Sequence, residues 1–143
     1  MRSIKRPTVA VGLLIALGVA GCGSVRTTPI APSSRLVRVP GSSAGKIILS
    51  ATGAERIGIQ TALAGVNAKS VTVPYSAVIY APSGRTFVFS NPARLTYTEI
   101  PVTVDRISGN VVFLTRGPQP GTPIVTVGAE ELYGVQTGVL AQT

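Results

Sequence analysis

Cys22 is the sole cysteine of the 143-residue chain, and it directly follows Val19-Ala20-Gly21 at the end of an apolar stretch, Val9 to Ala20. No histidine is present, so neither a Ser-His-Asp nor a Cys-His device can be assembled. The acids are five: Glu55, Glu99, Asp105, Glu130 and Glu131. A carboxylate pair can cleave glycosides, but Glu130 and Glu131 are adjacent and on a short helical turn point in different directions. They read instead as solvated acids near a helix start, where they suit the dipole. The chain is therefore expected not to be an enzyme. Metal sites fare no better, because the lone methionine is Met1 and neither imidazole nor a second thiol is available. No metal or other cofactor is expected. Tyr75, Tyr80, Tyr97 and Tyr133 offer a stacking surface, though strand aromatics more often form cross-strand packing pairs.

What remains is the chemistry of Cys22 and of the segment before it. Arg2, Lys5 and Arg6 give a positive start, the apolar core follows, and small residues close it, the three parts of an export signal. A spanning helix wants about 20 apolar residues, whereas a stretch of about 10 to 14 fits a signal-peptide core. Cleavage before Cys22 is expected rather than insertion. The Val19-Ala20-Gly21-Cys22 run resembles the processing site of bacterial lipoproteins. That resemblance implies a thioether from Cys22 to diacylglycerol, with Ala20 and Gly21 small enough for the peptidase and Val19 standing where Leu is commonest. The alternative is an ordinary secretory leader with Cys22 as a spectator thiol, which would invite intermolecular pairing. Two acyl chains suffice for stable anchoring. Localisation at the cell membrane, lipid-anchored on the extracytoplasmic face, follows from this reading.

Residues 1–21 are thus read as a signal peptide, leaving 122 residues, enough for one domain and a tether. The charge of +8 falls to +5 when the three leader cations are removed. Arg26, Arg35 and Arg38 lie nearest the anchor, where each cation favours anionic headgroups by about 1 kcal/mol if it reaches them. The rest are scattered singly, with no basic-aromatic stripe of the kind nucleic acid requires.

Residues 22–45 are rich in Ser, Thr, Pro and Gly, with Pro29, Pro32 and Pro40 opposing regular structure, and read as a flexible tether of typical reach about 25 Å. Residues 46–143 switch to short β-branched runs separated by turn residues, which predicts a mostly β domain with one or two short helical turns. The expected strands are Lys46 to Ser50, Ile59 to Val66, Ser70 to Val73, Ser76 to Tyr80 and Arg85 to Ser90, with an Asn91-Pro92 break after the last. Leu95 to Ile107 follows as one extended segment whose Pro101 argues for an edge or a bulge. Val111 to Thr115, Pro123 to Val127 and Val135 to Val139 complete the set. Helical turns are expected at Thr52 to Gly58, capped by Thr52, and at Ala129 to Tyr133. A rolled sheet or closed barrel would hide the many strand edges.

Three stretches resemble the membrane-proximal domain of the periplasmic adaptor (membrane fusion) proteins of RND-type efflux systems. They are Ile48 to Ala62, Val73 to Tyr80 with Gly84 to Phe89, and Ile100 to Val104 with Pro120 to Gly134. In that family a barrel, a lipoyl-like domain and a helical hairpin are inserted within this domain. Here only Gly65 to Ser70 separates the first stretch from the second. The resemblance implies an accessory protein of transmembrane transport that docks on an RND-type or other transporter. The positive mature charge supports an alternative, a cationic module that holds anionic cell-wall polymer or lipid headgroups. Nothing in the residues displays a self-complementary face that would define an oligomer.

Overall fold

The computed structural model describes residues 32–37 and 45–138. Eleven strands and two α-helices follow one another: β1 (Ser34–Val37), β2 (Lys46–Leu49), α1 (Ala51–Ile57), β3 (Gln60–Leu63), β4 (Gly65–Asn67), β5 (Ser70–Pro74), β6 (Val78–Tyr80), β7 (Thr86–Ala93), β8 (Thr96–Pro101), β9 (Thr103–Ser108), β10 (Val111–Arg116), β11 (Pro123–Val127) and α2 (Ala129–Thr137). The domain is mostly β, as the punctuated β-branched runs predict. Its strands form two open antiparallel sheets rather than a closed barrel: seven strands in the order β1-β2-β8-β7-β11-β3, with β6 also on β7, and four in the order β4-β5-β10-β9.

The chain changes sheet four times. Ala64 carries it from β3 to β4, a single 3-10 turn, Tyr75–Ala77, from β5 to β6, Val102 from β8 to β9, and the Gly117 to Thr122 loop from β10 to β11. The extended segments expected at Ile59 to Val66 and Leu95 to Ile107 are therefore each two strands in different sheets. Pro101 lies neither on an edge nor in a bulge. It ends β8, an inner strand, and the next N–H, from Val102, donates to Thr86 O at 2.9 Å.

The seven-stranded sheet is the middle layer. On one face Ile47, Leu49, Phe87, Phe89 and Val125 pack with Ala129, Leu132 and Val135 of α2 and, more peripherally, Ala54 and Ile57 of α1. On the other, Val78, Val88 and Ile124 meet Val73, Val112 and Leu114 of the four-stranded sheet. Because side chains alternate across a strand, Phe87, Val88 and Phe89 are all wholly buried, serving two cores in turn. Near-continuous apolar runs are what a strand covered on both faces requires. Phe87 and Phe89 meet edge to face at 5.5 Å, and burying each side chain contributes on the order of 2–3 kcal/mol.

Three further expectations are corrected. The cap of α1 is Ser50, not Thr52: the Ser50 Oγ accepts from Gly53 N at 3.0 Å, and Gly58 closes the helix in the left-handed region. Asn91-Pro92 does not end β7, which runs to Ala93. The β7–β8 register shifts between Ser90 and Ala93, so Pro92 sits where the ladder is already interrupted, and Asn91 Nδ2 stitches the bend by donating to Ala93 O and Thr96 O at 2.7 and 2.8 Å. Finally, Val135 to Thr137 is helical, continuing α2 beyond the single turn expected at Ala129 to Tyr133. Ala129, Leu132 and Val135 fall three apart on one face and are all buried.

Residues 34–37, which proline spacing places in the tether, form a strand instead. β1 pairs with β2 from Ser34↔Leu49 to Val37↔Lys46, and Ser50 N donates to Ser33 O at 2.9 Å. Pro32 lies before the strand and Pro40 beyond it, so neither removes a donor from this ladder. Gly53 lets α1 lie flush against the start of β1, since a Cβ there would overlap the Ser33 carbonyl oxygen.

Candidate functional site

Cys22 and the processing residues Val19, Ala20 and Gly21 lie outside the described residues, as do Arg26 and Arg38. Among the described residues no helix is long and apolar enough to cross a membrane, and no group of three or more potential metal-binding side chains occurs.

Three arrangements of side chains stand out. The first is the corner at which the chain leaves the seven-stranded sheet for the four-stranded one. Among the described residues β3 and β4 are each the last strand of their sheet, so each offers there an unpaired row of backbone groups. Leu63 on β3 is 67% exposed and Val66 on β4 is 62% exposed. Val66 pairs with Val71, which packs against the core between the sheets. Cross-strand partners share a face, so the four-stranded sheet projects past its neighbour here and carries an inward-facing valine into solvent. Ala64 between them is buried and locked, its N–H donating to Thr122 O at 2.9 Å and its carbonyl accepting from Gly121 N at 2.7 Å. The corner is rigid, apolar and rimmed by free strand edges.

The second is a polar cluster under α2. Glu99 on β8 is buried; Arg85 Nη1 donates to its Oε1 at 2.6 Å and Gln136 Nε2 to its Oε2 at 2.8 Å. Arg85 is half-exposed and lies over the Phe87 ring at 5.4 Å. The Gln136 Oε1 is buried without a partner. This cluster ties the residue before β7 to β8 and α2 as a structural brace.

The third is a cleft of about 420 Å³ between the 3-10 turn, β6 and α2, walled by Tyr75, Tyr80, Tyr133 and Glu130. Of the four tyrosines, only Tyr97 is placed in the core, where burial raises its phenol above the ordinary value of 10.0. Partial burial, then the neighbouring Tyr75, raise the Tyr80 phenol likewise. Three of the four tyrosines named as a candidate stacking surface thus line one cleft, Tyr133 being brought to the others by the docking of α2, while Tyr97 is apart from them.

Two of the cations are engaged by neighbouring side chains. Arg85 is committed to Glu99, while Arg106 lies over the Phe113 ring at 3.8 Å and contacts Asp105 at 2.9 Å. Comparison of the chain with known protein families, curated proteins and solved structures returns no match.

Proposed function

We propose that this protein is a lipid-anchored, non-enzymatic accessory protein of the extracytoplasmic membrane face that docks on a membrane transporter, an RND-type efflux system or another. Cys22 carries the diacylglyceryl anchor after the leader ending in Val19-Ala20-Gly21 is removed. The observation that carries the docking role is the Leu63–Val66 corner. Two large apolar side chains more than three-fifths exposed, set on two unpaired strand edges, form a surface fitted to strand addition or to apolar packing by a protein partner. The likeness to adaptor membrane-proximal domains adds support. The Gly65 to Ser70 segment, which separates the first two stretches of that resemblance, lies in the β4–β5 hairpin with its two-residue turn, Ala68-Lys69.

Docking is tested by cross-linking in intact cells followed by mild detergent extraction. The wild-type protein should recover a transporter, and Leu63→Asp with Val66→Asp should lose it while shifting stability by no more than about 0.5 kcal/mol, as exposed substitutions do. Recovery of the protein alone would count against the reading. So would a partner that is anionic envelope polymer and is released by salt, since a packed interface persists where a screened one does not.

A further inference from the structure

We infer that the cleft walled by Tyr75, Tyr80, Tyr133 and Glu130 binds a small organic ammonium ion, the alkylated nitrogen against the phenol rings and its charge opposite the carboxylate. The lining decides the chemical class. It presents three aromatic rings, one carboxylate and a floor that includes Val78 and Ile79, and it contains no lysine or arginine. Aromatic faces carry negative quadrupole charge and attract cations, alkylated ammonium groups above all. Arg85, close in sequence to Tyr80, is held on Glu99 at 2.6 Å.

Other ligand classes fit worse. An anion would meet Glu130 with no basic side chain to offset it. A hard metal ion needs several oxygen ligands, and the cleft supplies a single carboxylate. A wholly apolar guest would strip water from Glu130 and return nothing for it. A volume of about 420 Å³ is that of a small-molecule site.

The walls are held by three separate elements before any ligand arrives. Tyr133 on α2 is packed at 5.6 Å on Phe87, which is itself wholly buried. The N–H of Tyr75 donates to Asn110 O at 2.8 Å. Tyr80 pairs with Thr86 in the β6–β7 ladder. Tyr75 and Tyr80 nevertheless remain 49% and 51% exposed, so their rings are open to an occupant. Glu130 lies in the first turn of α2. The cleft shares no residue with the Leu63–Val66 corner.

The test is titration of the full-length protein, in micelles of an uncharged polyoxyethylene detergent at fixed ionic strength, with choline and with its uncharged carbon isostere 3,3-dimethylbutan-1-ol. NMR of ring-labelled tyrosine reads the binding. Choline should shift the Tyr75, Tyr80 and Tyr133 rings saturably, with the isostere weaker by about tenfold or more. Glu130→Gln and Tyr80→Leu, both at the surface, should each weaken choline about three- to tenfold, whereas Tyr133→Phe, which keeps the ring, should leave it unchanged. Equal binding of choline and the isostere would overturn the proposal, as would a saturable response to glucose with none to choline. Loss of choline binding in Tyr133→Phe would also overturn it, because the hydroxyl rather than the ring would then be the recognising group.

Discussion

Glu99 is the one carboxylate withdrawn from water among the described residues, and its two oxygens are served unequally: a half-exposed guanidinium holds one and a neutral amide the other. The unpartnered Gln136 Oε1 makes the consequences of substitution specific. In Glu99→Gln the new amide can donate to that spare oxygen once the Gln136 amide turns over, so the expected cost is only about 1 kcal/mol. Glu99→Leu leaves both ends of the Gln136 amide without a partner and should cost about 2 kcal/mol. Arg85→Met strands a buried carboxylate, and because solvent reaches the arginine side of the pair the loss is expected to be moderate, about 2–3 kcal/mol. Urea denaturation of the three variants gives the order directly; a Glu99→Gln protein weaker than Glu99→Leu would contradict this account of the brace. The same site marks a limit of sequence reading. Glu99 is visible only as one acid among five, since neither its burial nor its partners at positions 85 and 136 can be read from local pattern.

Among the elements, β1 and α1 are coupled by a single missing side chain. Gly53 lies within the helix, where glycine costs roughly 1 kcal/mol relative to alanine, and it is buried against the Ser33 carbonyl. Gly53→Ala should therefore raise helix propensity yet displace Ser33 and loosen β1. Hydrogen exchange should show faster amides at 34–37, with β7 and β8 unchanged; unaltered protection of β1 would show that the contact is dispensable. Most of the strands are legible beforehand, because alternation and turn residues are local signals; in Arg85 to Ser90 the alternation sets Phe87 and Phe89 on one side, but that Val88 is buried on the other emerges only with the second sheet. The sheet to which each strand belongs is not legible. Ile59 to Val66 reads as one extended segment, and only the burial of Ala64 beneath Thr122 reveals that it bends into another layer. α2 is half visible: its acids mark the start, but Val135 suggests a strand by residue type, and its place on the face shared with Ala129 and Leu132 emerges only with the packed helix. Cation and cleft chemistry is less legible still, as Tyr75 and Tyr133 line one cleft from positions 58 apart in the chain.

For the whole molecule, the proposed anchor at Cys22 precedes the described residues 32–37 and 45–138 in the sequence. Cys22→Ser should abolish incorporation of labelled palmitate and release the protein from the membrane fraction, while its denaturation midpoint stays the same; retained label in that variant would remove the lipid reading altogether. A consequence follows from β1. With Ser33 fixed to Ser50, only ten positions of sequence, against the twenty-four of the expected 22–45 tether, lie between it and Cys22, the residue proposed to carry the anchor. Fully extended, they span at most about 40 Å. Were the proposed anchor present, a body so moored would patrol a thin layer above the lipid and search for its mate in two dimensions, within reach only of loops or domains descending into that layer.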